Sequence, residues 1–421
     1  MKNINKLIIF IFLLFSFAIN AQTDEARKIT EVLCSDSLFG RGYVKDGVGK
    51  AGRFLANEFK KAGLSPFIDG DFKQPFSFDV NTFPGAMEIS IGGKNLTPGE
   101  DYHVMSMSGS YKGFLTYTTL DSTDLVNDEK IKSIISKIEQ KSINGLVLDL
   151  RGLTAKTEME FQNKFAAFGN YVTTIITSSQ KLMWSVSRYQ LKYPVILIKE
   201  ERFNPFKITV NIEAKLIENY TSNNIVGFLP AKKETNKTVV FSAHYDHLGG
   251  MGTKAFFPGA NDNASGTTML VSLANYFKEN PSKYNLLFIA FAGEEAGLLG
   301  SEYFVNSDVI DLKDIRFVLN LDIMGSGEDG ITVVNGTTLK KDFKKLEKIN
   351  AEKEYLTNVK ARGETQNSDH YHFYKNGVPA FFIYTMGLNQ NYHDIYDTYE
   401  ELSFSAYDNI ICLLIDFVEQ L

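Results

Sequence analysis

The spacing of hydrophobic residues changes twice along the chain and divides it into three parts. From 22 to 83, stretches such as "DEARKITEVLCSDSLFG" and "GKAGRFLANEFKKAG" carry apolar residues at helical intervals, which predicts an N-terminal helical part. From 84 to 215, "AMEISIGGKNLTPGEDYHVMSMSGSYKGFLTYTTL" alternates apolar and polar residues between glycines, as short strands do, and helical stretches follow near 128–141 and 158–168. This middle third predicts an inserted, β-rich α+β domain.

In the last part, from 216 to 421, continuous apolar stretches alternate with helical ones. The stretches "TVVFSAHYD", "NLLFIAF" and "FVLNLDIMG" are each followed by a helical pattern, and "PAFFIYT" precedes a helical C-terminal stretch. Strands that are apolar throughout are buried on both faces, so this part is predicted to be α/β, with a mostly parallel mixed sheet covered by helices on both faces. Active sites of such sheets lie at the carboxyl ends of the strands.

The first 21 residues have the pattern of a secretory signal peptide. Lys2 and Lys6 precede an apolar run from about Leu7 to Ile19, and the small residue Ala21 follows. The run is shorter than the roughly 20 residues that span a membrane, so a retained anchor helix is the weaker interpretation. We expect cleavage after Ala21, export to the periplasm or the extracellular space, and no stable membrane insertion of the remaining chain.

Charge and cysteine content narrow the classes of partner. The chain of 421 residues has a formal net charge of -6, and loss of the signal peptide would remove two lysines and no acid. This balance argues against nucleic acid and against an anionic membrane surface as partners. Only Cys34 and Cys412 are present, and they are interpreted either as two buried thiols or as one disulfide. Nothing in the pattern specifies an oligomeric state.

Acidic residues and histidines follow four of the predicted strands, and one more acid begins the helix after the first of them. Because charged groups at the ends of buried strands are costly when unpaired, a cation is the simplest common partner. These residues are His244, Asp246, Asp262, Glu294, Glu295, Asp322 and His393.

Imidazoles and carboxylates without any thiolate favour zinc, with manganese or cobalt as alternatives. Two ions at one site would need a shared carboxylate, and Asp262, in the Gly- and Asn-rich loop "PGANDNASG", is the candidate for it. His244 and Asp246 are two residues apart on an extended segment and point to the same side. We therefore expect His244 to be a ligand and the carboxylate of Asp246 to orient its ring.

The remaining histidines receive less direct interpretations. His247 is expected to be a loop residue without a ligand role. His370 and His372, in "SDHYHFYKNG", are expected to line the wall of the pocket, with a further metal site as the alternative. His103 lies in the predicted insert with no acidic cluster beside it and is expected on the surface.

Six stretches resemble the family 28 zinc metallopeptidases in kind, order and approximate spacing. The resemblance covers about residues 223–421, and the earlier "SLFGRGY" and "GKAGRFLANEFKKAGLSPF" are also similar to the N-terminal segment of that family. The middle third resembles the protease-associated insert of such enzymes only in texture and position. The stretches are "AHYDHLG", "GANDNASG", "FAGEEAGLLGS", "LNLDIMG", "SDHYHFYKNGVPAFF" and "YHDIYDT".

The resemblance implies a zinc aminopeptidase fold, two zinc ions and peptide substrates. It implies an aminopeptidase that cleaves N-terminal residues through a metal-activated water, and a glutaminyl cyclase-like enzyme or a noncatalytic binding protein are the alternatives. The sequence departs from the family at Asp394 and Ile395, where Thr and Pro or Ser are usual; the extra acid is interpreted either as tuning the second zinc or as facing solvent. The implied roles are His244, Asp262 and Asp322 for one ion; Asp262, Glu295 and His393 for the other; Glu294 as general base; and Tyr392 as a group that polarises the scissile carbonyl.

Overall fold

The computed structural model describes residues 23–199 and 207–421, so the predicted signal peptide lies outside the described residues. Two helices form in the N-terminal part, as the apolar spacing predicts. The helices of the chain are α1 (23–34), α2 (Gly47–Lys61), α3 (Asp128–Glu139), α4 (Ala155–Phe165), α5 (Gly266–Glu279), α6 (Leu299–Val305), α7 (Lys340–Lys353), α8 (His370–Lys375) and α9 (Tyr407–Gln420).

The strands belong to one large sheet, two smaller ones and a short hairpin. Those of the first half are β1 (Ser65–Pro66), β2 (Lys73–Thr82), β3 (Met87–Ile91), β4 (Lys94–Leu96), β5 (Tyr102–Val104), β6 (Tyr111–Phe114), β7 (Tyr117–Asp121), β8 (Gly145–Asp149), β9 (Thr173–Ser178), β10 (Val195–Lys199) and β11 (Ile208–Ile212). Those of the second half are β12 (Lys215–Leu229), β13 (Thr238–His244), β14 (Gly250–Met251), β15 (Ala255–Phe256), β16 (Asn285–Phe291), β17 (Ile315–Leu321), β18 (Gly330–Val334), β19 (Val359–Ala361) and β20 (Ala380–Met386).

The large sheet has the order β1-β12-β16-β13-β17-β20-β18-β19, and β2 also pairs with β12. Its four central strands, β16, β13, β17 and β20, are parallel, whereas β12 and β18 join them in antiparallel pairs. The predicted mixed α/β fold is therefore confirmed, with parallel pairing at the centre and again between β18 and β19 at one edge. The long strand β2 lies in the part predicted to be helical, and its burial alternates along most of its length as in a half-buried strand.

Helices cover both faces of the central strands because these strands are apolar on both sides. Every residue of β13 is buried. Val239 and Phe241 pack in one core with residues of α5 and α9, and Val240 between them packs in another with Phe304 of α6 and Phe373 of α8. The continuous apolar pattern thus places the titratable groups of the predicted site at the strand ends.

The region between residues 84 and 215 forms the two smaller sheets. One has the order β5-β10-β9-β8-β7, and the other, β4-β3-β11-β6, is antiparallel throughout. One apolar cluster joins this region to the loop after β13, since Trp184 packs with Leu248, Met251 and Phe257. The boundaries 84 and 215 of an inserted domain stay a prediction.

Two further expectations concern cysteines and membrane spans. Cys34 and Cys412 are both free and partly buried, so the structure contains the two thiols and not the disulfide. Among residues 23–199 and 207–421, no helix has the length and apolar character needed to cross a bilayer.

Candidate metal centre

The predicted ligands meet at one edge of the large sheet. His244 is the last residue of β13, Asp322 directly follows β17, and Glu294 and Glu295 follow β16 after a short turn. Because these strands are adjacent and parallel, their carboxyl ends lie together. Asp262 reaches the same place from the helical turn Ala260–Ser265 before α5, and His393 from the loop after β20.

The two carboxylate oxygens of Asp262 face two different histidines. Its Oδ1 lies 3.1 Å from Nε2 of His244, and its Oδ2 lies 3.0 Å from Nε2 of His393. Asp322 Oδ1 is 3.3 Å from the same nitrogen of His244, and Glu295 Oε2 is 3.4 Å from that of His393. The five residues therefore form two histidine–carboxylate groups that share Asp262.

The spacing of these donors fits zinc. Nitrogen and oxygen ligands about 2.0–2.1 Å from a tetrahedral zinc ion lie roughly 3.3 Å from each other. The observed separations of 3.0 to 3.4 Å match that value. His244, Asp262 and Asp322 are also almost completely buried, at 1%, 4% and 5% exposure, so their charges need partners inside the protein.

The pKa values of His244 and His393 also indicate that the carboxylates of the site attract positive charge. Burial alone would lower the pKa of His244, but Glu294, Asp322 and Asp262 raise it well above its usual value. Burial is likewise outweighed at His393, where Glu295 and Asp262 raise the pKa to about 9. Protons on these two rings offset the negative charge of the carboxylates. A divalent cation bound here would offset that charge in place of the protons.

The adjacent acids Glu294 and Glu295 have different surroundings. Glu295 accepts from Nδ1 of His247 at 2.7 Å and faces His393. Within the described parts of the chain, no hydrogen bond or ion pair engages the Glu294 carboxylate, although it lies close to His244. One acid of the pair is thus held in place and the other remains available.

The electrostatic environment of Glu294 favours its protonated form. Burial raises the pKa of this carboxyl well above its usual value, and Glu295, Asp369 and Asp322 raise it further, while His244 opposes the shift. By contrast the pKa of Glu295 is lowered, because the effect of His393 and His247 exceeds that of burial. A carboxyl with a raised pKa is suited to proton transfer near neutral pH.

Asp246 acts differently from the expectation. Nδ1 of His244 lies 3.1 Å from the backbone carbonyl of Asp246 and 3.9 Å from its carboxylate, so the carbonyl is the nearer acceptor. The carboxylate instead accepts from the hydroxyl of Tyr43 at 2.7 Å and from the backbone N–H groups of Glu294 and Glu295. Asp246 therefore holds the loop that carries the two glutamates.

Two residues missed by the sequence reasoning support the ligands directly. The hydroxyl of Ser368 donates to Asp322 Oδ2 at 2.8 Å. The carboxylate of Asp397 accepts from the backbone N–H groups of Asn261 and Asp262. Both lie in quoted motifs, "SDHYHFYKNG" and "YHDIYDT", where the histidines and not these residues drew attention.

Arg41, in the "SLFGRGY" stretch, binds the backbone of the loop that precedes Asp262. Its side chain is fully buried and donates to four backbone carbonyls, those of Leu33, Tyr245, Pro258 and Gly259. The guanidinium also partly offsets the burial that raises the pKa of Asp397 to about 7. The N-terminal segment is thus joined to the centre by one side chain.

The other histidines divide between the centre and the core. His247 lies in a loop, as predicted, but it is buried and contacts the ligand candidate Glu295. Its ring nitrogen forms, with Asp262 and Glu295, one of the groups whose ligand atoms lie close enough to hold an ion, so the structure does not bear out the expectation that His247 has no ligand role. His370 is buried against Phe382, and burial lowers its pKa to about 4. Among the described residues, the groups whose ligand atoms lie close enough to hold an ion contain neither His370 nor His372.

The prediction that His103 lies on the surface is wrong. Its side chain is 1% exposed, and its ring packs against Phe257 of the loop after β13. Burial lowers the pKa of His103 to about 4. The partner that buries it comes from a distant part of the sequence, which the local pattern around His103 does not reveal.

Tyr392 and Asp394 flank the ligand candidate His393. The ring of Tyr392 is exposed and stacks on that of His393, with 4.0 Å between their centroids. Asp394 is buried at 3% exposure and forms an ion pair with Lys181 at 2.5 Å. The acid that departs from the family pattern therefore does not face solvent.

Solved structures have the same architecture. The zinc aminopeptidase BSAP of Bacillus subtilis superposes with a TM-score of 0.68 at 21% identity and covers 93% of both chains. A peptidase M28 precursor of Shewanella amazonensis superposes with a TM-score of 0.65 at 15% identity, over 94% of this chain and 96% of that one. The chain has the fold of the zinc aminopeptidases.

Sequence comparison points to the same group of proteins. Residues 224–418 match the family model of Peptidase family M28. Aminopeptidase YwaD of Bacillus subtilis is 30% identical over 236 residues, which span 52% of this chain and about half, 49%, of that protein. A probable leucine aminopeptidase of Arthroderma otae is 28% identical over 76% of this chain and 87% of its own length.

Proposed function

We propose that this protein is an exported, zinc-dependent aminopeptidase that hydrolyses the peptide bond after the N-terminal residue of peptides. The observation that carries the proposal is the pair of histidine–carboxylate groups that share Asp262, with Glu294 unengaged beside them. The match of residues 224–418 to Peptidase family M28 and the relatives named aminopeptidases support the same reaction. Export rests on the signal-like pattern of residues 1–21.

His244, Asp262 and Asp322 would hold one zinc ion, and Asp262, Glu295 and His393 the other. Two zinc ions at such a site polarise a carbonyl group and lower the pKa of a water molecule. Glu294 takes the proton of the attacking water and then delivers it to the departing amine, a transfer for which its raised pKa suits it. The exposed Tyr392, stacked on His393, is placed to donate a hydrogen bond to the scissile carbonyl.

A cavity of about 950 Å³ is lined by Ala296 and Leu299, which follow the two glutamates in the sequence, and by the 185–189 segment of the predicted insert. We assign this cavity to the part of the peptide beyond the scissile bond. Relatives named aminopeptidases favour cleavage beside a free α-amine. We therefore favour aminopeptidase over carboxypeptidase action.

The deciding variant is Glu294→Gln, which keeps the size of the side chain and removes its basic oxygen. We expect hydrolysis of aminoacyl reporter substrates to fall by about 10²- to 10⁴-fold, while metal analysis still finds about two zinc ions per chain, as at a two-metal site. Glu352→Gln, an exposed change on α7, is the matched control and should leave activity unchanged.

Full activity in Glu294→Gln would refute the assigned base. A single zinc ion per chain, together with ring closure of peptides that begin with glutamine, would favour the cyclase-like alternative. Activity that survives complete removal of metal by a chelator would overturn the proposal as a whole.

A further inference from the structure

We propose that the segment Lys181–Trp184 of the predicted insert, here called the clasp, is a positioning element for His393. Its backbone fixes the orientation of the His393 ring, and the ion pair between Lys181 and Asp394 holds the clasp on the loop that carries this ligand. The inference rests on the proposed function in one respect, the role of His393 as a zinc ligand.

Two hydrogen bonds join the clasp to His393 in opposite directions. The backbone N–H of Trp184 donates to the His393 carbonyl at 2.9 Å, and Nδ1 of the His393 ring lies 2.9 Å from the Trp184 carbonyl. Because a carbonyl only accepts, Nδ1 must carry the hydrogen of this bond. The other nitrogen, Nε2, then faces Asp262 and Glu295, and a metal ion that displaces the proton of Nε2 would bind its lone pair.

The backbone of His393 needs such support. Its φ angle is 53°, in the left-handed region that residues with a side chain seldom adopt. Conformations of this kind persist where surrounding contacts hold them. The reciprocal bonds to Trp184 supply that contact on both the main chain and the ring.

The ion pair fastens one end of the clasp. Nζ of Lys181 lies 2.5 Å from Oδ2 of Asp394 and also donates to the carbonyl of Gln390 at 3.0 Å. Since Asp394 is buried, loss of its partner would leave an uncompensated charge next to His393. The acid that distinguishes this chain from its family pattern therefore has a partner in the insert.

The ring of Trp184 fastens the other end. It stacks on Phe257 with centroids 4.8 Å apart, and its indole nitrogen donates to the Val104 carbonyl at 2.7 Å. Phe257 lies in the loop that leads to Asp262, the shared ligand candidate. The clasp therefore contacts the loop that leads to Asp262 and the loop that carries His393, two members of the second histidine–carboxylate group.

The variant Lys181→Met distinguishes a positioning role of the clasp from a direct effect of the Lys181 charge on zinc binding. Removing a positive charge near a cation site should strengthen zinc binding if charge alone matters. If the clasp positions His393, the same variant should bind one of its two zinc ions about 10- to 100-fold more weakly, as loss of an outer-shell partner does. Lys181→Arg, which keeps the charge, should restore most of the affinity, and Lys192→Met, an exposed change in the insert, should have no effect.

Affinities are measured by zinc competition with a chromophoric chelator on the full chain. Trp184 is the only tryptophan in the sequence, so its fluorescence reports on the clasp itself. We expect zinc to shift the emission of the metal-free protein, and to shift it less in Lys181→Met. Lys181→Gln serves in the same assay if the methionine variant does not fold.

Wild-type affinity for both ions in Lys181→Met or Lys181→Gln would overturn the proposal, as would tighter binding. Peptide hydrolysis plays no part in this readout. A protein that binds two zinc ions but leaves aminoacyl substrates intact would refute the proposed function and leave the clasp standing.

Discussion

Asp397 accepts a hydrogen bond from the backbone N–H of Asp262 at 3.0 Å, so one buried carboxylate fixes the main chain of another. The same group also accepts from the N–H of Asn261 through both of its oxygens. The backbone carbonyl of Asp397 also accepts from the N–H of Ala260 at 3.0 Å, so three consecutive N–H groups of the turn Ala260–Ser265 donate to this one residue. The orientation of the Asp262 carboxylate, which is shared between two histidines, is therefore set by a residue that is not itself a ligand candidate.

Asp397→Asn should weaken metal binding without removing a ligand. The amide has one accepting oxygen and an NH2 donor in place of the other, so this donor faces the N–H of either Asn261 or Asp262, and Asp262 gains freedom to rotate. We expect the zinc affinity to fall by about 10- to 100-fold in a chelator competition assay. Asp408→Asn, which alters a contact with Thr23 away from the centre, is the matched control, and equal affinities in the two variants would contradict the role of Asp397.

Ser368→Ala tests the support of Asp322. The Ser368 hydroxyl donates to Asp322 and accepts from Asn320, whose side chain in turn accepts from Ser242. Removing it leaves buried polar groups unpaired, which costs about 1–3 kcal/mol of unfolding free energy, and should lower zinc affinity about tenfold. Urea unfolding and zinc titration check both effects, and Ser405→Ala on the surface should change neither.

Arg41→Met should destabilise the protein by about 3 kcal/mol or more, because the four carbonyls that the guanidinium pairs lose a charged donor inside the protein. Arg41→Lys keeps the charge but not the planar fork of donors, so an intermediate loss is expected. Denaturant unfolding midpoints provide the measurement. A methionine variant within about 0.5 kcal/mol of the wild type, as for an ordinary surface change, would show that the buried guanidinium is dispensable.

His103→Gln should reduce the loss of folding stability that the protein undergoes as the pH falls. The pKa of His103 falls from 6.5 to about 4 on folding, so the unfolded chain takes up a proton between these values and the folded chain does not. Stability from this group is fully present above pH 6.5 and is lost as the pH falls towards 4, by roughly 3 kcal/mol in all. The difference in unfolding free energy between variant and wild type should shrink by that amount between pH 7 and pH 4.

A difference that stays constant over this range would mean that His103 titrates alike in both states. The measurement is made with zinc present, so that the carboxylates of the centre do not titrate over the same interval. Asn211→Gln, an exchange at a polar side chain of the same region, serves as the control because it changes no titrating group.

The strand ends could be read from the sequence because burial on both faces of a central strand leaves a visible apolar run. The residues that follow such runs, His244, Asp322 and Glu295, do meet at one edge. The contact of Asp246 could not be read in the same way. Whether a carbonyl or a carboxylate reaches a histidine two residues away depends on loop torsions, and here the carbonyl does.

Long-range burial was the other source of error. His103 lies among short alternating strands that resemble a surface, yet Phe257, from the other side of the insert boundary, covers it. The strand β2 shows the converse case, because "KQPFSFDVNT" alternates visibly but follows two strong helical patterns. The spacing of apolar residues in a segment predicts its secondary structure well only where the patterns of the neighbouring segments do not suggest a different element.

The bond between His393 and Trp184 joins residues 209 positions apart, and that between Asn261 and Asp397 joins residues 136 apart. Contacts between such distant residues form late, since each must close a long loop of chain first. A chain that ends before His393 therefore carries four of the five ligand candidates without the contacts that complete the centre. The second histidine–carboxylate group can form only after the C-terminal part of the chain has been made and has folded against the region of Trp184.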